Sequence, residues 1–189
     1  MKTTFIPIKK ADSKLLFDRA GVYVVYFSNI SGSVSCTIAA EQVQLYMLGL
    51  YDMRHTEKYK IHTEQIHQSP HSFSDLYVLS VAHDNSSLSF AGRILIQKDA
   101  QQSHAYQKNQ NLILSPNAFV DSQPILEILA DDVFCTHGST SGPLSPDQLQ
   151  YLQVRGLNRH EAAAALVEGF KQQVYDRLVK LGVKSYARS

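Results

Sequence analysis

Short apolar runs at near-regular spacing constrain the fold of this chain more than any other feature. Phe90, Ala105, Val120 and Cys135 lie 15 residues apart, each in a strand-like run bordered by small polar residues. Similar runs begin near residue 15, and no helical pattern interrupts them before residue 143. A period of strand units with polar corners is typical of a solenoid, in which each turn buries its inward side chains against the next.

The turn chemistry favours parallel strands over antiparallel ones. The chain lacks the tight Asn-Gly and Asp-Gly turns that join antiparallel neighbours. The run Val43–Tyr51 is too apolar for a strand with one wet face and indicates a strand covered on both sides. We therefore predict a mainly β fold with a parallel β-helix over residues 14–143, and a β-sandwich is the alternative. Residues 1–13 show no periodicity and are predicted to be a tail, which places the first turn near Val22–Phe27.

Helical signals begin after the last apolar run. The stretch Ser145–Gln148 has the composition of a capping box with proline at the first helical position, and Gly156 is suited to end that helix. Asn158–Glu161 repeats the starting signature. Residues 144–189 are therefore predicted to form a C-terminal helical segment, and its apolar stripe must be buried on the end of the solenoid or against another protein. The stripe consists of Ala162, Leu166, Phe170, Val174, Leu178 and Leu181.

Composition argues against several classes of function. The 18 basic and 17 acidic residues are balanced and unclustered, so nucleic acid is not an expected partner. No run approaches the roughly 20 apolar residues of a membrane span, and no glycine-rich phosphate loop occurs. Two cysteines can form at most one disulfide, too few to stabilise a chain of this size. Cys36 and Cys135 are therefore predicted to be free thiols in the cytoplasm.

Cys135 and His137 form the sharpest candidate for chemistry. Residues two apart in a strand project from the same face, so the thiol and the imidazole are expected to lie close together. Both groups can ligate iron–sulfur clusters, and a neighbouring histidine lowers the pKa of a thiol. Taken without context, the residues favour a simpler interpretation, in which Cys135 is a small core residue and His137 a hydrogen-bonded loop residue.

Two other chemistries find less support in the sequence. The spacing of His62, His67 and His71 matches no common zinc site, and these are predicted to be surface or loop histidines. A carbohydrate-active enzyme built on a β-helix would need carboxylates clustered on one outer face. The acidic residues of the strands are instead scattered, at Glu64, Asp121 and Glu127.

Four stretches of the sequence resemble the SufB/SufD family of iron–sulfur cluster assembly scaffold proteins. They are Ala105–Ser115, Asp121–Ile128, Asp132–Gly142 and Tyr151–Leu157, and weaker similarity extends the resemblance over most of residues 35–170. Within that family the chain is similar to SufD, because a glycine follows His137 where SufB-like chains usually carry glutamate. Family members are typically longer, with an N-terminal helical region and earlier turns, so a short or truncated form is expected.

The resemblance implies a right-handed parallel β-helix followed by helices, and a non-catalytic scaffold subunit. It further implies that the chain pairs with a SufB-like subunit through the β-helix and receives a SufC-like ATPase on its C-terminal helices. Cys135 and His137 match the family's Cys-x-His motif, where nascent cluster, iron or sulfur is held at the partner interface. No cofactor is then expected to bind tightly to the isolated chain. The residues expected to dock the ATPase are Leu149, Tyr151, Leu152, Arg155 and Leu157.

A purely structural homodimer without cluster chemistry is the alternative. The predicted first turn, near Val22–Phe27, would expose an unpaired strand edge that another molecule must cover. Self-association is therefore expected when the chain is alone.

Overall fold

Strands alternate between two sheets along most of this chain. The computed structural model describes residues 3–10 and 12–183, and within them eleven strands are followed by two helices. The strands are β1 (Thr3–Ile8), β2 (Ser13–Phe17), β3 (Gly21–Ser28), β4 (Gly32–Ile38), β5 (Val43–Met53), β6 (Lys58–His67), β7 (Phe73–Ala82), β8 (Ser87–Ile96), β9 (His104–Ile113), β10 (Phe119–Ile128) and β11 (Phe134–Gly142). The helices are α1 (Pro146–Val154) and α2 (Arg159–Lys180).

The odd-numbered strands form one sheet in the order β1-β3-β5-β7-β9-β11, and the even-numbered strands form the other in the order β10-β8-β6-β4-β2. We call them the odd sheet and the even sheet. Every strand pairing among the described residues is parallel. The predicted parallel β-solenoid is thus confirmed, and the β-sandwich alternative is wrong.

The period seen in the sequence has a simple structural meaning. Phe90, Ala105, Val120 and Cys135 lie in the four consecutive strands β8 to β11. Ala105 and Cys135 are direct register partners in the odd sheet. The 15-residue step therefore measures one strand with its corner, and two such steps complete one turn.

The prediction of a tail over residues 1–13 is wrong for the part that the structure describes. Thr3–Ile8 pairs with β3 along its whole length, and Ile6 and Ile8 pack against the hydrophobic core. Val22–Phe27 consequently has paired neighbours on both sides, in β1 and β5, and is not an exposed edge. An outermost strand is only half buried, which blurs its apolar pattern, and it tolerates a proline such as Pro7. Met1, Lys2 and Ala11 lie outside the described residues.

Both helices start at the predicted caps, although only the Ser145 half of the capping box predicted for α1 is present. The Ser145 side chain accepts a hydrogen bond from the backbone N–H of Gln148, with proline in the first turn of α1. At α2, Asn158 and Glu161 form a complete capping box. Gly156 has a φ of +100°, which a glycine adopts without strain after a helix end.

Helix α2 packs on the flank of the solenoid. Val174 and Leu178 are fully buried and belong to one hydrophobic cluster with Tyr77 and Leu79 of the odd sheet. The expectation that the stripe covers the solenoid end or another protein is therefore wrong, because the outer face of β3, β5 and β7 is apolar enough to receive it. Of the two helices described, neither has the length and apolar character needed to cross a membrane.

Two ion pairs and one hydrogen bond fasten α2 to the odd sheet. Lys171 Nζ lies 2.9 Å from Asp52 Oδ2 of β5, and Arg177 Nη1 lies 3.4 Å from Asp75 Oδ2 of β7. The Tyr77 hydroxyl can donate its single proton to Gln173 Oε1 of the helix at 3.1 Å or to Gln110 Oε1 of β9 at 2.8 Å. These polar contacts border the apolar contact and orient the helix across the strands.

Candidate functional site

The candidate pair lies on the last strand of the odd sheet. Cys135 is in register with Ala105, and His137 is in register with Gln107, whose side chains are both buried in the solenoid interior. Both residues therefore share one face of the strand, as predicted for residues two apart, and that face points inward. Within the described part of the chain, β11 has a strand neighbour on one side only, so these positions lie at the open end of the solenoid.

Cys135 is partly shielded from solvent by apolar neighbours. It packs against a cluster formed by Ile94, Ile96, Ala100, Ala105 and Ala130. Burial raises the pKa of the Cys135 thiol above its ordinary value. This direction is opposite to the one expected from a neighbouring imidazole, so the resting side chain is a protonated thiol at neutral pH. Cys36, the second free cysteine, is fully buried inside the solenoid.

His137 differs from Cys135 in being exposed. Its imidazole makes no hydrogen bond to any other described residue. A neutral imidazole is a good ligand for iron as well as zinc. The site thus offers one free nitrogen ligand beside one latent sulfur ligand.

A hydrogen-bonded polar ladder lies behind the pair and was missed in the sequence. Asn111 Nδ2 donates to Asn109 Oδ1 at 2.7 Å and to Ser141 Oγ at 3.0 Å, and Ser80 Oγ donates to Asn111 Oδ1 at 2.7 Å. These side chains replace the apolar filling of earlier turns. The alternation of Gln107, Asn109 and Asn111 along β9 is the sequence signal for this change. The ladder ties the inner face of β11 to β9 and so holds the strand that carries the candidate pair.

The strands of the last turn expose an unusual amount of apolar surface. Phe134 is 65% exposed and stacks on the His104 ring at a centroid distance of 5.2 Å. Phe119 and Leu129 are 63% and 56% exposed. Large exposed apolar side chains beside two unpaired strand edges mark a contact surface for another chain.

The residues predicted to dock an ATPase divide into two groups. Tyr151 of α1 and Arg155, which caps the end of that helix, are exposed, and the guanidinium carbon lies 4.3 Å from the tyrosine ring centroid. Val154 is 81% exposed beside them, although the sequence prediction did not include it. The three leucines of the predicted set are only half exposed: Leu149, Leu152 and Leu157.

The histidine trio does not assemble. His67 is fully buried, between Ser72 Oγ at 2.7 Å from Nδ1 and Ser74 Oγ at 2.7 Å from Nε2. The prediction of a surface or loop position is therefore wrong for His67, because an inward position of β6 sets its burial. His62 lies 3.6 Å from Glu64 on the outer face of the even sheet. No group of three or more possible metal ligands occurs among residues 3–10 and 12–183.

Two carboxylates of the even sheet, those of Glu64 and Glu127, are paired with a single arginine. Arg93 Nη1 lies 3.1 Å from Glu64 Oε1, and Arg93 Nη2 lies 2.6 Å from Glu127 Oε2. The three side chains form a ladder across β6, β8 and β10. Both carboxylates thus contact the same guanidinium.

These features define a class of protein: a parallel β-solenoid with a free Cys-x-His pair on its last strand and two C-terminal helices. The family model described as SUF system FeS cluster assembly, SufBD core domain, matches residues 27–170. The chain therefore belongs to the SufBD core family.

Curated relatives agree with this assignment. The chain is 35% identical over 130 residues to the chloroplastic protein ABCI7 of Arabidopsis thaliana, which is 68% of this chain and 27% of that protein. It is 33% identical over 105 residues to the iron–sulfur cluster assembly protein SufD of Escherichia coli, covering 56% of this chain and 25% of that protein. For SufD of Bacillus subtilis the identity is 37% over 113 residues, covering 59% and 26%. The matched region spans about a quarter of each of these relatives.

Proposed function

We propose that this chain is a SufD-like, non-catalytic subunit of a SufBCD scaffold for iron–sulfur cluster assembly. In this proposal His137, and Cys135 once its proton is lost, hold iron, sulfur or a nascent cluster transiently against a SufB-like partner. The observation that carries the proposal is the location of the pair on the last strand, beside a free edge. A [2Fe–2S] or [4Fe–4S] cluster usually takes four protein ligands in total, and this pair supplies two, so the others come from the partner.

The partner surface in the proposal is the last turn of the solenoid. Unpaired N–H and C=O groups along β10 and β11 can continue each sheet into a second solenoid. The exposed side chains of Phe119, Leu129 and Phe134 would be buried by that pairing. Burial of the pair at such an interface would also exclude water from the cluster ligands.

Helix α1 is the proposed docking surface for a SufC-like ATPase. Tyr151, Val154 and Arg155 form an exposed aromatic, apolar and cationic group of the kind enriched at protein interfaces. Helix α2 connects this surface to the solenoid through the Lys171–Asp52 and Arg177–Asp75 ion pairs. Two free cysteines agree with a reducing compartment such as the cytoplasm.

Co-purification tests the subunit assignment. The chain is co-expressed with SufB-like and SufC-like subunits from the same source, and the mass of the purified species is measured by light scattering. A complex that contains the ATPase supports the proposal. A lone homodimer contradicts the proposal and favours the second candidate, a structural homodimer. The free edges of β10 and β11 support that candidate as well, because two copies of the chain could pair along them.

The site assignment has its own test. His137→Ala should lower the iron and acid-labile sulfide content of the purified complex several-fold while subunit stoichiometry stays unchanged, because the imidazole is exposed and packs no core. His160→Ala is the matched control, since that histidine is exposed on α2, away from the last strand. Equal iron and sulfide content in the two variants would remove His137 from the mechanism.

A further inference from the structure

A polar pocket lies beside β11 and α2, against the outward-facing side chains of the odd sheet. It has a volume of about 430 Å³, and its walls come from the C-terminal half of α2 and from β7, β9 and β11. The lining residues used below are Asp75, Lys108, Thr136, Gly138 and Arg177. We call it the Lys108–Arg177 pocket.

Two cations share one aromatic ring in this pocket. The Arg177 guanidinium carbon lies 3.6 Å from the Tyr77 ring centroid, and Lys108 Nζ lies 6.0 Å from the same centroid. Arg177 also contacts Asp75, with Nη1 3.4 Å from Oδ2. Lys108 is exposed and forms no salt bridge with any described residue. One carboxylate thus faces two cations, and the pocket keeps a net positive charge.

The rest of the pocket adds a donor and open space. The Thr136 side chain is exposed and makes no hydrogen bond to another described residue, so its hydroxyl is available. Gly138 occupies the outward position paired with Lys108, and a Cβ atom there would meet nothing within 4 Å. The absence of a side chain at Gly138 therefore leaves the cations accessible from the free edge of β11.

We propose that the Lys108–Arg177 pocket binds an oxyanion group, either a carboxylate or a phosphate. An ammonium, a guanidinium with N–H groups left over from its contact with Asp75, and a hydroxyl are the donors that such a group prefers. A metal ion is disfavoured by the two fixed cations. An apolar ligand is disfavoured by the polar and charged lining. His137 also contributes to the lining of this pocket, whereas Cys135 does not.

Titration with two small anions tests the proposal on the intact chain. Inorganic phosphate and acetate are added separately at constant ionic strength, with chloride as the reference anion, and amide chemical shifts are followed by NMR. Saturable shifts at Lys108 and Gly138 are expected in the wild type. Lys108→Ala should weaken binding at least about tenfold, as the loss of one charge-assisted hydrogen bond implies. The anion that saturates at the lower concentration identifies the preferred group.

Matched variants make the test decisive. Lys180→Ala removes an exposed lysine of α2 that does not line the pocket and should leave the titration unchanged. Gly138→Glu places a tethered carboxylate at the open position and should abolish binding of the free anion. Identical titrations for Lys108→Ala and Lys180→Ala, or a wild type that shows no saturation with either anion, would overturn the proposal.

Discussion

Acid should destabilise this chain through one buried imidazole, that of His67. Both ring nitrogens are bonded, to Ser72 Oγ and Ser74 Oγ at 2.7 Å each, and the side chain is fully buried. A neutral imidazole has one donor and one acceptor nitrogen, so one serine accepts while the other donates. Protonation would place two donors and a charge in an enclosed site, where no carboxylate compensates it.

The expected loss of stability follows from the pKa of His67. Burial lowers that pKa from 6.5 to about 4 in the folded chain. The unfolded chain therefore binds the proton more readily as the pH falls from about 6.5 to about 4, and the free energy of unfolding falls over this window. At 1.36 kcal/mol per pKa unit the full loss is about 3 kcal/mol, of which about 2 kcal/mol occurs between pH 7 and pH 5.

Urea unfolding at pH 7, 6 and 5 measures this effect. Above pH 5 the carboxylates of Asp52 and Glu64, whose pKa values are lowered, contribute little to the slope. His71→Gln is the matched control because His71 is exposed, and it should retain the wild-type pH dependence. His67→Gln should be less stable at pH 7 but almost insensitive to pH between 7 and 5. A His67→Gln variant that keeps the full pH dependence would refute the reasoning.

Two further predictions concern stability. Gly49→Ala should lower the unfolding free energy by about 1–3 kcal/mol through overpacking, because its Cβ would lie 2.6 Å from Phe27 Cε2 in the core. The midpoint of urea unfolding measures this loss of stability. Adding Phe27→Leu should recover part of the lost unfolding free energy. A Gly49→Ala variant as stable as the wild type would contradict the steric argument. Asn158→Ala removes the capping box of α2 and should lower the unfolding free energy by about 1 kcal/mol in the same urea assay. An unchanged urea midpoint would contradict this prediction.

The candidate site shows which of its properties could be predicted from the sequence and which could not. The Cys-x-His spacing and the resemblance of its flanks predicted which residues to examine, and the alternation rule predicted that both share one face. Whether that face is the interior depended on the register with Ala105 and Gln107. The raised pKa of the Cys135 thiol depends in turn on its apolar neighbours, which come from β8, β9 and the corners before β9 and β11. No local pattern around Cys135 contains that information.

The sequence by itself determined the strand units, their parallel pairing and both helix starts. The helix starts rest on side chains within a few residues of one another, such as Asn158 and Glu161, and the strand units and their parallel pairing are indicated by the repeat along the chain. The tertiary structure decided that Thr3–Ile8 is a strand, that His67 is buried, and that α2 covers the odd sheet. Each of these outcomes depends on contacts between distant parts of the chain, such as the 96-residue separation between Tyr77 and Gln173. Burial is a property of the assembled neighbours, so local spacing alone could not determine it.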